Sequence, residues 1–260
     1  MNYTFFAQTD AGLVRSNNED AVCFDANHQV LVLADGMGGY NAGEVASGIA
    51  ITYIKSELVR WLASETAPVD AARVSRAIEN CVSRANLSIL NAATSNPAYA
   101  GMGTTLVVGV FLGDTLVLGH VGDSRCYRWR GGELAQLTKD HSMLQEQVDA
   151  GVLTPQQAAI APGKNLLTRA LGVEEAVRVD VATHGVNMGD LYLMCSDGLS
   201  DMLDAPSIGE MLAAGHDLPE LAALLVDGAK ARGGRDNITV LLAQAGSSPT
   251  GLMARLFGKP

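Results

Sequence analysis

An α+β fold, with helices packed outside antiparallel sheets, is predicted from three features of the sequence. Strand-like runs come first and two long helical periods follow. A series of adjacent strand-like runs comes next, and two dipeptides that begin with glycine, Gly113-Asp114 and Gly131-Gly132, stand where hairpin turns belong.

Each element has its own signal. The run VLVLA at 30–34 is continuously apolar and short, as a buried strand should be. Val45, Ile49, Tyr53, Leu58 and Leu62 fall near one helical face, and Asn41 with Glu44 resembles a capping box at its start. A second helix is expected over 69–91. The stretch 104–121 is the most apolar, but Gly109, Gly113, Asp114 and Gly119 interrupt it. It reads as two strands, 104–112 and 115–121, joined at Gly113-Asp114. Strands over 125–129 and 134–137 flank a second turn at Gly131-Gly132. Short helices are expected at 142–150, 155–161, 207–214 and 219–231, and further strands at 177–182, 190–195 and 238–244. No linker divides the chain, so one domain is expected over 1–245 and a flexible tail over 246–260.

Composition narrows the function. With 260 residues, 48% of them apolar, the chain can bury a full core. A net charge of −10 argues against a nucleic-acid face and against docking on anionic lipid. The N-terminus, MNYTFFAQTD, lacks a basic start and an apolar segment, so the expected location is the cytoplasm. Cys23, Cys81, Cys126 and Cys195 are scattered, which excludes a Cys-based zinc site. The Cys-x5-Arg pattern of thiol phosphatases also fails, because Gln29, Leu87, Gly132 and Asp201 stand six residues after the cysteines.

The informative feature is where the acids stand. Asp35 (VLVLADGMGG), Asp123 (LGHVGDSR), Asp197 (LYLMCSDG) and Asp236 (GGRDNITVLL) each lie at the end of a buried-looking strand. One Asp-Gly is ordinary turn chemistry. Four acids at strand ends point instead to one shared site. Converging carboxylates repel and would take up protons unless a cation neutralises them. An all-oxygen donor set selects Mg²⁺ or Mn²⁺ over zinc, and no EF-hand loop suggests calcium. A glycine after the aspartate, as at Gly36, leaves room for a carbonyl to approach a metal. Two such ions, about 3.5–4 Å apart, can hold a hydroxide and clamp a phosphoryl group.

Other signatures are absent. GMGGYN misses the dinucleotide fingerprint at Asn41, and there is no phosphate-binding G-x-x-x-x-G-K-[ST] loop or G-x-S-x-G elbow. His28, His120, His141, His184 and His216 are far apart and read as structural or exposed. His141, in LTKDHS, is the best placed to touch the site.

Taken in order, RSNNED (15–20), ADGMGG (34–39), GMGTT (101–105), GDSR (122–125), LTKDHS (137–142), LTRALG (167–172), SDGL (196–199) and GGRDNITV (233–240) resemble the type 2C, metal-dependent serine/threonine protein phosphatases, most closely the compact bacterial members. The resemblance covers roughly residues 5–245. It implies a four-layer α-β-β-α sandwich of two antiparallel sheets flanked by helix pairs. Asp35 would bridge two metals, the Gly36 carbonyl would bind one of them, and Asp197 and Asp236 would be further ligands. Asp123 would help hold a weaker third ion. Arg15 would grip the substrate phosphate through its fork, and Glu19 and Asp20 would order metal-bound water. The segment 142–165 would be a mobile flap beside the site.

The expected reaction is Mn²⁺- or Mg²⁺-dependent hydrolysis of phosphoserine and phosphothreonine in proteins. A metal-bridging hydroxide would attack in line without a phosphoenzyme, reversing a bacterial Ser/Thr kinase. Some family members carry a histidine acid after the Asp-Gly pair. Met37 stands there in this chain and cannot donate a proton, so a metal-bound water is the natural substitute. Two rivals are a pseudophosphatase, which would be expected to have lost a bridging acid, and a small-molecule phosphatase or nuclease with the same metal pair.

Overall fold

The computed structural model describes residues 1–38, 42–163 and 166–246. Its strands are β1 (Asn2–Asp10), β2 (Asp20–Asp25), β3 (Val30–Met37), β4 (Gly103–Thr104), β5 (Leu106–Leu112), β6 (Thr115–Val121), β7 (Arg125–Arg130), β8 (Glu133–Gln136), β9 (Asp180–Gly185), β10 (Leu191–Cys195) and β11 (Ile238–Gly246). The helices are α1 (Gly43–Ser64), α2 (Ala71–Ser95), α3 (Met143–Asp149), α4 (Pro155–Ile160), α5 (Asp197–Ser200), α6 (Ala205–Leu212) and α7 (Leu218–Ala231).

The strands form two antiparallel sheets. One has the order β1-β11-β10-β7-β8; the other has β2-β3-β5-β6-β9, with β4 paired to β3. Apolar side chains lie in three layers. Val32, Val108 and Val117 of the second sheet pack under Ile54, Leu58 and Ile78 of α1 and α2. Leu193, Val240 and Leu242 of the first sheet pack under Leu221 and Leu225 of α7 and Ile208 of α6. Between the sheets lie Leu31, Leu33, Phe111, Tyr192, Met194 and Leu241. This is the four-layer α-β-β-α sandwich. Val30 to Ala34 are fully buried, so β3 is a central strand covered on both faces.

Both expected hairpins form, each with a two-residue turn. Gly131 and Gly132 both have positive φ (59° and 89°), as a type I′ turn requires, and Gly113 takes φ 59° at the first turn position.

The departures from expectation concentrate at sheet edges. β1 and β2 were not anticipated, and β9 begins at Asp180 instead of 177. All three are edge strands and half exposed; β1 and β9 carry only short apolar stretches, and in β2 the apolar run is just the four residues Ala21–Phe24 between two aspartates. The run expected over 104–112 breaks at Thr105, whose backbone N–H leaves the ladder to donate to the Asp35 carbonyl (2.9 Å). The helices match to within a few residues, but α5 is new. Ala42 occupies the cap position of α1 with no side-chain cap, and Asn41, the cap expected there, lies outside the described residues. Gly246 closes β11 opposite Asn2; the remainder of the proposed tail lies outside the described residues.

Candidate active site

The acids meet where the two sheets share an end. β2 and β3 pair so that Asp20 stands directly opposite Asp35. Like charges so placed repel across some 5 Å. Asp197 opens α5 just past β10, Asp236 precedes β11, and Asp123 lies in the crossing from β6 of one sheet to β7 of the other. Five carboxylates from both sheets thus converge: the four strand-end acids and Asp20 of RSNNED.

Their electrostatics carry the mark of that convergence. Burial pushes the Asp35 carboxyl well above its usual range, and the charges of Asp20, Asp197, Asp123 and Asp236 raise it further. Burial pushes Asp20 up to about 7, with Asp197 adding and the Ser196 hydroxyl opposing. Asp123 is pushed up to about 8 by burial, then Asp197 and Asp140. Asp197 is pushed up to about 6 by burial, then Asp201 and Asp236. One Asp20 oxygen accepts from Ser196 Oγ (2.8 Å); the other, Oδ1, is buried with no hydrogen-bond donor among the described residues. An all-oxygen, mutually repelling set with an orphaned buried carboxylate oxygen fits hard divalent cations.

Arg15 reaches the same place. Its Nη2 donates to Asp236 Oδ2 at 2.6 Å, which raises its own pKa, and its side chain is half exposed. The sequence expectation gave phosphate to Arg15 and metal to Asp236; in the structure the two side chains bind each other, as adjacent opposite charges do. Arg15 also lines a pocket with Asp197, Asp201 and Asp236.

Glu19 and Asp20 are held from several directions. The Glu19 carbonyl accepts from Gly36 N–H (3.1 Å) and Ser47 Oγ (2.6 Å), and its N–H donates to Asn237 Oδ1 (2.8 Å). Its carboxylate lies against the start of α1, where a Cβ on Gly43 would sit 2.6 Å from Oε2. That is a favourable place for negative charge. Gly36 is needed for a reason the sequence did not show. A Cβ there would lie 2.2 Å from the Gly43 carbonyl oxygen and 2.5 Å from that of Glu19, so the backbone itself fills the space.

Sequence reasoning missed four supporting residues. Thr104 Oγ1 donates to the Asp35 carbonyl (2.8 Å), and Thr105 Oγ1 accepts from the Asp35 N–H (3.0 Å). Ser124 Oγ shares a 2.7 Å hydrogen bond with Thr105 Oγ1, which ties the Asp35 strand to the Asp123 crossing. Asn237 Nδ2 donates to the carbonyls of Ala11 (3.1 Å) and Asn17 (2.9 Å), fixing the Arg15–Asp20 loop beside Asp236. GMGTT, GDSR and GGRDNITV contain these residues, but polar residues beside a motif acid carry no signal of their own.

Gly198 shows how close the packing is. A Cβ there would lie 1.9 Å from the Asn237 carbonyl oxygen. Gly198→Ala must push α5 away from β11 and should cost stability of order 1–3 kcal/mol, as overpacking does. Denaturant unfolding will test this, and an unchanged midpoint would show that α5 yields freely.

A cleft of about 610 Å³ opens from Asp123 and Asp197 toward α3 and α4, with Leu144, Val148 and Pro155 lining it on that side. Leu144→Ala and Val148→Ala should lower kcat/KM for a phosphoprotein more than for a small aryl phosphate, since loops beside a site set access and selectivity. Equal losses on both substrates would point to misfolding instead.

One cluster outside the acids has metal-like spacing: ligand atoms of His120, His141 and Asp180 lie within 4.8 Å of one another. A guanidinium already fills it. Arg169 Nη1 stands 3.1 Å from His141 Nε2 and 3.0 Å from Asp180 Oδ1.

A sandwich whose two sheets deliver opposed carboxylates and an arginine to one end defines a hydrolase of phosphate esters. The protein phosphatase 2C family model matches residues 14–222, and the chain belongs to that family of protein serine/threonine phosphatases. It is 37% identical over 240 residues to the serine/threonine phosphatase Stp of Listeria monocytogenes, covering 91% of this chain and 94% of the relative. The S. agalactiae serine/threonine phosphatase structure superposes with a TM-score of 0.86 at 35% identity, covering 94% of this chain and 99% of the other. The catalytic domain of the phosphatase PstP, solved with two manganese ions, superposes with a TM-score of 0.81 at 39% identity, covering 94% and 99%. Among the described residues no helix is long and apolar enough to cross a membrane.

Proposed function

We propose that the acid cluster holds divalent cations, Mn²⁺ or Mg²⁺, and that the chain hydrolyses phosphoserine and phosphothreonine in proteins by in-line attack of water, without a phosphoenzyme. The carrying observation is the convergence of Asp20, Asp35, Asp123 and Asp197, all with raised pKa. Asp35, the Gly36 carbonyl, Asp197 and Asp236 are the residues to hold two tight ions, and Asp123 a weaker third. The manganese pair in PstP supports that reading. Bound there, the cations supply Lewis acidity that lowers the pKa of water and offsets charge on the phosphoryl oxygens.

This chain's own groups do the rest. Asp20, fixed by Ser196, and Glu19, fixed by Asn237, orient water over the site. Arg15 turns its fork to the non-bridging phosphate oxygens. Ser124 and Ser196 are already hydrogen-bonded within the protein, which favours water over a side-chain nucleophile. Met37 has no proton to give, so the leaving oxygen takes its proton from water. The charge of −10 suits a partner other than nucleic acid. A bacterial Ser/Thr kinase and its targets, in the cytoplasm, are the proposed setting.

The deciding experiment compares phosphothreonine peptides with sugar phosphates while Mn²⁺ is titrated. Peptide hydrolysis abolished by EDTA and restored by Mn²⁺ is expected; a preference for sugar phosphates would overturn the substrate class. Asp123→Ala should cut turnover yet leave two tight sites in calorimetry, whereas loss of a tight site would place Asp123 among the main ligands.

A further inference from the structure

The crossing between the sheets, Gly122 to Ser124, carries Asp123, and it is clamped from one side by a single residue. His141 N–H donates to the Gly122 carbonyl (2.9 Å), and Gly122 N–H donates to His141 Nδ1 (3.1 Å). Gly122 takes φ 100°, and a Cβ there would lie 2.7 Å from Thr105 Cβ. Thr105 therefore stands against one side of Gly122, and His141 hydrogen-bonds its peptide groups. Asp123 hangs on the next residue, so rotation about Gly122 would swing its carboxylate.

The His141 ring is built to accept. Because Nδ1 takes the Gly122 hydrogen bond, the ring proton belongs on Nε2 and donates to Asp180 Oδ2 (3.2 Å); Arg169 Nη1, 3.1 Å from that nitrogen, then gives its hydrogen to Asp180 Oδ1 and not to the ring. That bond holds the carboxylate in place. The ring is 6% exposed and stacks on His120 at 4.6 Å and 17°. His120 Nε2 is in turn fixed on the Lys139 carbonyl (2.8 Å). The neighbouring Asp140 accepts a two-pronged bond from Arg125 (3.0 and 2.6 Å). The pair Asp140-His141 thus pins both ends of the segment that carries Asp123.

We infer that His141 is a positioning residue for Asp123, acting through the Gly122 peptide, with Asp180 and Arg169 setting the tautomer and angle of its ring. This rests on the reading of Asp123 as a ligand of the weaker cation.

Two amide variants separate this from a packing role. Asn places its Oδ1 where His has Nδ1, so His141→Asn keeps an acceptor for Gly122 and loses Asp180. Gln reaches the Nε2 position, so His141→Gln keeps Asp180 and loses the acceptor. In metal-free protein, solvent exchange of the Gly122 amide should speed up in His141→Gln and stay near wild type in His141→Asn. The Mn²⁺ concentration for half-maximal activity should rise roughly two- to tenfold in His141→Gln alone, the span one hydrogen bond covers. Asp180→Ala, at a partly exposed position, should shift both readouts in the same direction if His141→Gln does not fold. Equal effects of Asn and Gln, or unchanged Gly122 exchange in His141→Gln, would overturn the inference. Asp123→Ala serves as the control for the underlying reading. If it leaves the Mn²⁺ response unchanged, that reading fails by itself, and Gly122 exchange still decides whether His141 holds the crossing.

Discussion

In metal-free protein, Asp35→Asn should raise the melting temperature while removing nearly all turnover. Asp35 faces Asp20 across β2 and β3 and is raised further by Asp197, Asp123 and Asp236. An amide of the same shape cannot ionise, so it removes the cost of charging or protonating a carboxyl among those acids, and it leaves the Asp35 backbone hydrogen bonds to Thr104 and Thr105 intact. The sign follows from linkage. These acids have raised pKa in the folded state, so that state binds more protons than the unfolded chain, and stability falls as pH rises. For Asp123 the window runs from 3.8 to about 8, and for Asp197 from 3.8 to about 6. Wild type in EDTA should therefore melt lower at pH 8 than at pH 5, and the difference should shrink in Asp35→Asn. Each kcal/mol relieved is worth about 2–4 °C in a chain of this size. Mn²⁺ should reverse the order, because a ligand that binds only the folded state stabilises it and wild type binds better. The loss of turnover should be at least about a hundred- to a thousandfold, the range seen when one preorganised electrostatic contact is removed. Calorimetry in EDTA and in Mn²⁺, with peptide kinetics beside it, makes the comparison. A metal-free Asp35→Asn that melts well below wild type would show that hydrogen bonding outweighs repulsion at Asp35.

The site was legible because its acids sit at the ends of strands that must be buried. Asp35, Asp123, Asp197 and Asp236 follow or precede apolar runs whose period leaves little choice of structure, so strand ends place the carboxylates. Arg15, Glu19 and Asp20 are different. They lie on a loop and at the start of a short edge strand whose apolar run is only Ala21–Phe24, and only the ordered motifs pointed to them. What the sequence hid is the work of small polar groups. Nothing in GMGTT states that Thr105 leaves its ladder to bind Asp35, and nothing in LTKDHS states that His141 grips Gly122. Such contacts join residues far apart in the chain, and hydrogen-bond direction has no period to read. The edge strands β1, β2 and β9 were missed or misplaced for a related reason, since half-exposed strands need no continuous hydrophobic run.

Arg15→Ala should lower kcat/KM for a phosphothreonine peptide about ten- to a hundredfold, the equivalent of 1.5–3 kcal/mol for charged hydrogen bonds. Its position explains why the loss should fall on substrate and not on metal. One guanidinium nitrogen engages Asp236 Oδ2 at 2.6 Å, and the half-exposed side chain lines a pocket with Asp197, Asp201 and Asp236. A phosphate there meets a planar fork already oriented by a carboxylate. An ion pair this exposed adds little to stability, so the melting temperature in EDTA should barely move. Losing Arg15 also frees Asp236, so tight metal binding should be unchanged or slightly stronger. If the grip is equal in ground and transition states, KM rises alone; if it tightens as charge moves onto the leaving oxygen, kcat falls as well. Most of the effect is expected in KM. Arg15→Lys should recover only part, because an ammonium keeps the charge but not the two parallel hydrogen bonds. Steady-state kinetics at saturating Mn²⁺, with calorimetric metal titration of the same variants, separates the cases. Wild-type kcat/KM in Arg15→Ala would remove Arg15 from substrate binding. A collapse of metal affinity would instead make the Arg15–Asp236 pair a prop for the metal ligand.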